Sequence, residues 1–339
     1  MTLISHSRSA FVAYQDLLRM HLDMTKSEIA GSVESRQRNG RTYLYDRFRI
    51  GTEMKSRYLG EDSPELRARV ARQKGSKLDA QDRRTRMSRL ARVLKAEGMA
   101  APDRATGALL LALARAGLFQ QGGTLIGTEA FMLYQGELGV KVTPNAPSGT
   151  GDIGPSNVRR LSIAVDDHML EFPENFQRTV NFEAAPEVSE RPTWKWRQSG
   201  SAVGVEFLTP TLGKKGISPL PAFLASAHAL NDLHFLTENP IPALALYRSG
   251  VLVQIPRPER FAIQKLMVAS RRHDDRDRVQ AQKDRAQAGF LIRVLAEDRP
   301  DDLAEAYEHA HSQGEEWRGL IAASLELMPD AKRLLPVLT

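Results

Sequence analysis

The sequence predicts an α/β protein of α+β layout, a mixed sheet flanked by helices, on three observations. An apolar run ending at Gly127 passes directly into a helical pattern over Glu129–Leu138. Further β-type runs lie at Ala202–Leu208 and between Pro240 and Ile255. Helical periodicity dominates both ends of the chain. The same patterns divide the chain into a basic helix-and-hairpin module at 1–100, an α/β core at 101–256 and a helical region at 257–339.

With 339 residues and 42% apolar composition, the chain has the material for a sizeable core. It contains no run of 18 apolar residues, so no membrane span is expected. Met1–Ser9 lacks the basic start and apolar centre of a secretory leader. The absence of cysteine removes disulfides, zinc-thiolate sites and thiol nucleophiles from consideration. A cytoplasmic protein is the expectation that follows. The net charge of +6 is unevenly spread: Arg36–Lys95 holds 18 Lys/Arg against 7 Asp/Glu, whereas the remainder holds 29 against 34.

In chain order, residues 8–30 carry a helical pattern through Phe11, Tyr14, Leu17, Leu18 and Leu22. Alternation from Arg41 to Gly60, with Gly51 at the bend, reads as a β-hairpin. Arg41, Arg47, Arg49, Lys55 and Arg57 are interleaved with its aromatics. Two readings fit: a platform where bases stack while these cations meet nucleic-acid phosphates, or a hairpin with its aromatic face on the protein and its charges in water. Ser63-Pro64-Glu65 opens a helix that extends to about Glu97. Its dense Arg and Lys are either a solvated face or a surface for RNA, DNA or an acidic partner. Gly98–Pro102 reads as a linker, and Leu109, Leu110, Leu113 and Leu118 mark an apolar helix over 103–118.

The stretch from Gly122 to Leu208 carries the chemistry. A strand that ends at Gly127-Thr128 and becomes a helix offers backbone N–H groups to an anion, and Gly127 permits close approach of a phosphate. An ordinary strand-to-helix turn has the same sequence. Asp152 lies in the Gly-rich loop Thr150–Gly154, behind Pro144 and Pro147, and Glu206 lies within a β-run. Carboxylates on neighbouring strands bind divalent cations through hard oxygens, and such cations clamp a triphosphate. Gly149–Gly154 also satisfies G-x-G-x-x-G, but Pro144–Ser148 precedes it where a dinucleotide site requires a strand.

Downstream, residues 166–200 are polar, with one candidate strand at Thr193–Arg197, and Gly213-Lys-Lys-Gly216 is a basic turn. Pro258 opens a helix to Ala269, a second spans about Arg276–Glu297, and Asp301–Leu327 reads as one or two helices started by Asp301-Asp302.

Several phrases together resemble a known superfamily. They are Leu125-Ile-Gly-Thr-Glu-Ala-Phe131, Leu138-Gly-Val140, Leu161-Ser-Ile-Ala-Val165, Val205-Glu-Phe-Leu-Thr-Pro210, Pro240-Ile-Pro242, Tyr247-Arg-Ser-Gly-Val251, Pro258-Glu-Arg-Phe-Ala-Ile-Gln-Lys265 and Lys283-Asp284. In this order they are similar to a bacterial branch of the DNA polymerase β-like nucleotidyltransferases, one related to the toxins of abortive-infection toxin–antitoxin systems. The resemblance covers roughly residues 10 to 320. It implies Mg²⁺ (or Mn²⁺) held by Asp152 and Glu206, and an NTP held at Gly127, Thr128, Lys265, Lys283 and Asp284. The basic N-terminal module makes RNA, tRNA included, the expected acceptor, with a protein hydroxyl as the other, and the resemblance brings with it an inhibitory protein partner. An Asp-x-Asp pair belongs at 152 and 154, yet Gly154 occupies the second place. That departure points to a weakened enzyme, a substitute acid such as Asp166 or Asp167, or a regulatory nucleotide- or nucleic-acid-binding protein that kept the fold without turnover.

Overall fold

The structure is a computed structural model. It describes residues 3–26, 31–38, 40–50, 53–74, 77–142, 159–165, 182–184, 195–198, 203–210, 216–220, 225–230, 232–272 and 278–336. Asp152, Gly154, Asp166, Asp167 and the turn residues Gly213, Lys214 and Lys215 lie outside them.

The chain opens with α1 (Arg8–Lys26), followed by the strands β1 (Ser32–Arg38), β2 (Arg41–Ile50) and β3 (Glu53–Glu61). These form an antiparallel meander in which β1 joins the expected hairpin. Leu44 faces α2 (Pro64–Lys74), where Leu66 and Val70 complete a small core. The side chain of Ser63 accepts the Leu66 N–H, the expected cap. The basic helical stretch foreseen from Ser63 to about Glu97 holds α2 and, further along the chain, α3 (Lys77–Ala96).

Then come α4 (Arg104–Arg115), β4 (Thr124–Ile126) and α5 (Gly127–Leu138). Asp103 caps α4 by accepting the Ala105 and Thr106 N–H groups. The strands β5 (Arg159–Ala164), β6 (Phe182–Ala184), β7 (Lys195–Gln198), β8 (Val203–Pro210), β9 (Gly216–Leu220) and β10 (Ala225–Leu230) complete a mixed sheet in the order β4-β5-β8-β10-β9, with β6 and β7 as a side ribbon. β8 is its axis: it runs parallel to β5 and β10 and antiparallel to β7.

After the short α6 (Leu233–Thr237), β11 (Ile241–Ala245) and β12 (Val251–Ile255) form an antiparallel pair. The chain finishes with α7 (Pro258–Arg271), α8 (Arg278–Asp298), α9 (Pro300–Ser312), α10 (Glu315–Glu326) and α11 (Pro329–Lys332). Pro300, rather than an aspartate cap, begins α9. Asp301 and Asp302 sit within its first turn, where negative charge suits the helix dipole. No described helix is long and apolar enough to cross a membrane.

One large core runs from Leu109 through the central sheet to Leu335, so the C-terminal helices and the sheet share it. A second joins α1 and α3 to Leu244 and Leu246 of the β11–β12 hairpin. Its keystone is Tyr14, fully buried, whose hydroxyl oxygen accepts the Leu244 N–H at 3.1 Å. Tyr14 also lies against Gly136 of α5, so closely that a Cβ there would stand 2.2 Å from the ring.

Candidate functional site

The strand β4 is buried along its length, and the chain turns at Gly127 with φ +74° before entering α5. Only glycine adopts that conformation without steric cost. Ile126 precedes it in extended conformation and makes no side-chain cap. Thr128 is buried at this start. Behind it, Phe131 stacks on Phe261 of α7 with centroids 6.2 Å apart and meets Phe290 of α8 at 5.8 Å. Tyr134 donates its hydroxyl to the Pro256 carbonyl at 2.9 Å. Burial raises the Tyr134 phenol well above its ordinary pKa, so it is a structural donor.

The sheet brings this corner to Glu206. Ile126 pairs with Ser162, and Ser162 pairs with Glu206, so the three form one rank across β4, β5 and β8. At ~4.8 Å per strand, Glu206 stands about 10 Å from the end of β4. Alternation fixes the faces: Leu161, Ile163, Val205 and Phe207 are buried on one side. Ser162 and the half-buried Glu206 share the other, where the Ser162 hydroxyl donates to Glu206 Oε1. The chain enters β5 at Arg159, at the Gly127 end of this rank. Among the described residues no three His, Cys, Asp or Glu side chains gather as a metal site. Asp152, the expected second ligand, lies outside those residues.

A second cluster lies between α7 and α8. Lys265 Nζ donates to Asp284 Oδ1 at 2.6 Å, and Arg272 Nε donates to Oδ2 at 3.0 Å. Asp284 is fully buried, Lys265 and Lys283 are nearly so, and Arg272 is partly exposed. The Lys283-Asp284 pair is therefore buried rather than solvated. The carboxylate is held by two charge-assisted hydrogen bonds, the arrangement that compensates a buried charge. Lys265 lies over the Phe261 ring, 5.3 Å from its centroid, and Phe261 touches Phe131 one turn beyond Thr128. Two ring contacts thus connect this cluster to the glycine corner.

Sequence reasoning missed Ser162 and Arg272. Ser162 had one usable signal, a lone hydroxyl in the otherwise apolar run Leu161–Val165. Arg272 had none, because its partner lies across a helix boundary.

In the N-terminal module the aromatic face of the meander is the one that turns to water. Tyr43 and Tyr45 are half-buried and Tyr58 is 56% exposed, opposite the Leu44 face that meets α2. Phe48, by alternation along β2, lies on the Leu44 side instead, so the hairpin aromatics are divided between the two faces. Arg41 and Arg47 are exposed, and Lys55 and Arg57 stand opposite Phe48 and Asp46 in the register. The side chains of Arg49, Lys55 and Arg57 lie outside the described set.

A family model described as nucleotidyltransferase matches residues 104–312, more than half of the chain. The chain belongs to the nucleotidyltransferase family. The matched span contains the Gly127 corner, Glu206 and the Lys265–Asp284 pair, and it leaves out α1 to α3 and β1 to β3. No curated protein and no solved structure matches the chain.

Proposed function

We propose that this nucleotidyltransferase moves an NMP unit from an NTP to an acceptor hydroxyl. The observation that supports the reading is the rank Ile126–Ser162–Glu206, which holds a hard-oxygen donor two strands, about 10 Å, from a glycine corner of the kind that receives phosphate. The backbone N–H groups after Gly127, with Thr128, hold the phosphates. Lys265 and Lys283 offset charge on the departing pyrophosphate, and Asp284 fixes Lys265 in position. The acceptor hydroxyl attacks the α-phosphorus, the bond to the bridging oxygen of the β-phosphate breaks, pyrophosphate leaves, and the hydroxyl proton passes to water.

The donor set suits Mg²⁺ or Mn²⁺: carboxylates at Asp152 and Glu206 suffice where substrate phosphates and water complete the shell. When bound, the ion neutralises the triphosphate and stabilises the leaving group. The basic module, with Arg41, Arg47, Arg49, Lys55 and Arg57, favours RNA as acceptor, tRNA included, over a protein hydroxyl. Kinship with abortive-infection toxins, and with it an inhibitory protein partner, belongs to the same proposal. Gly154 supports a second reading, a nucleotide- or nucleic-acid-binding regulator that keeps the fold without turnover.

The test is incubation with each α-labelled NTP, Mg²⁺, total RNA and cell protein, using the protein as it stands, Glu206→Gln and Gly154→Asp. The expected result is label on RNA that falls by about 100-fold or more in Glu206→Gln. Label only after Gly154→Asp supports the regulator, label on protein replaces the RNA acceptor, and no label from any NTP with any variant sinks the transfer reading.

A further inference from the structure

The nucleotidyltransferase match leaves the N-terminal meander without an assigned role, and its open face is chemically unusual. On this face Tyr58 is central, with ring centroids 6.0 Å from Tyr43 and 5.6 Å from Tyr45. The guanidinium of Arg36 lies 4.8 Å from the Tyr45 centroid. In the register Arg36 pairs with Tyr43, Glu34 with Tyr45 and Ser32 with Arg47, so these side chains share the strip. Its two acids are each met by an arginine: Glu34 by Arg36 at 3.4 Å and Glu61 by Arg41 at 3.5 Å. Arg47 adds an exposed cation.

A sheet that serves only as scaffold buries its aromatics and shows water its polar face. Here α2 covers the aliphatic side and three tyrosines are left outward. The basic helix α3, which follows α2 in the chain, strengthens the signal. Between Arg83 and Lys95 it carries Arg83, Arg84, Arg86, Arg89, Arg92 and Lys95, all exposed, with no acid in the stretch. Among the described residues none of the six meets a carboxylate. Such a helix draws in a polyanion at a distance, and an aromatic strip selects one with accessible planar rings.

We propose that the Tyr43–Tyr45–Tyr58 strip is a base-stacking platform for single-stranded nucleic acid, with Arg36 and Arg47 on its backbone and α3 supplying long-range attraction. Duplexes have their bases already stacked and gain nothing from the tyrosines. The proposal does not depend on nucleotidyl transfer, because binding is measured without NTP.

The experiment uses the full-length protein with fluorescein-labelled single strands of about 12 nucleotides, one RNA and one DNA, followed by anisotropy across a salt series. The matching duplex is a control. Binding of either single strand, with Tyr58→Ala weakening it by about tenfold and Tyr58→Phe leaving it unchanged, supports the platform. Preference for the RNA strand assigns a further contact to the 2′-hydroxyl, and equal binding assigns stacking alone. Arg86→Ala with Arg89→Ala is expected to lower the salt slope by about 1.4 without altering the response to Tyr58→Ala. The proposal is overturned if Tyr58→Ala and Tyr45→Ala bind like the parent protein while the arginine pair does not, if the duplex binds as well as the single strands, or if nothing binds. Because Tyr58 is largely exposed, unchanged melting of its variants keeps the comparison clean.

Discussion

Asp284 receives two cationic donors in a place that water does not reach, and its removal strands at least one of them. Asp284→Ala is expected to lower stability by about 3–5 kcal/mol, read from the urea midpoint, because Lys265 stays buried without its counter-charge. Replacing both by apolar residues, Lys265→Met with Asp284→Leu, is expected to recover much of that loss while transfer remains absent. Equal midpoints for Asp284→Ala and the parent would contradict the pairing. At this scale the sequence showed candidates but not their partners. Glu206 stood out because a carboxylate inside a β-run needs a reason. Lys265 and Asp284 were marked by resemblance to known enzymes. That they bond to each other depends on which faces of α7 and α8 meet, and periodicity does not encode that.

Among the elements, α1 and α5 meet at close range through Tyr14 and Gly136. A methyl group at Gly136 would overlap Tyr14, which is pinned in turn by Leu244. Gly136→Ala should cost about 1–3 kcal/mol and lower Tm, whereas Gly319→Ala, with open space around its Cα, should not. Comparable melting for both variants would show that the two helices part easily. The elements were most readable where apolar spacing was strong: α1, α4, α5, α7 and α8 lie close to their expected places. β1 was missed because Ser32–Arg38 has one apolar residue, Val33, and owes its strand state to β2. β9 and β10 were missed for a related reason, since Gly216–Leu220 has a single β-branched residue, Ile217, beside a proline, and Ala225–Leu230 has no β-branched or aromatic residue but His228. Asp152 and Gly154 were legible as motif positions and lie outside the described residues.

For the molecule as a whole, histidine burial sets a direction for acid. His21 is held in the neutral form chiefly by burial, partly offset by its hydrogen bond to the Ser249 carbonyl at 3.0 Å. His6 and His311 are lowered as well, again mainly by loss of water. Each has a folded pKa below its unfolded value of about 6.5, so the unfolded chain binds more protons on the acid side. Stability is fully present above about pH 6.5 and falls as pH drops from there toward the folded values. Urea midpoints between pH 5 and 8 should show this slope, and His21→Gln, which keeps a donor for Ser249, should flatten it. A slope that stays the same in His21→Gln would remove His21 from the account.

The lodging of Tyr14 between Gly136 and Leu244 also governs how the protein can be cut. A fragment beginning near residue 101 has the whole family-matched span, yet it bares Leu244, Leu246 and the glycine side of α5 where α1 had lain. That scar is greasy and sits on the helix that starts at the Gly127 corner. Trimming the front of this protein therefore disturbs its engine, and a minimal version needs polar replacements at the scar before its activity can be compared with that of the parent.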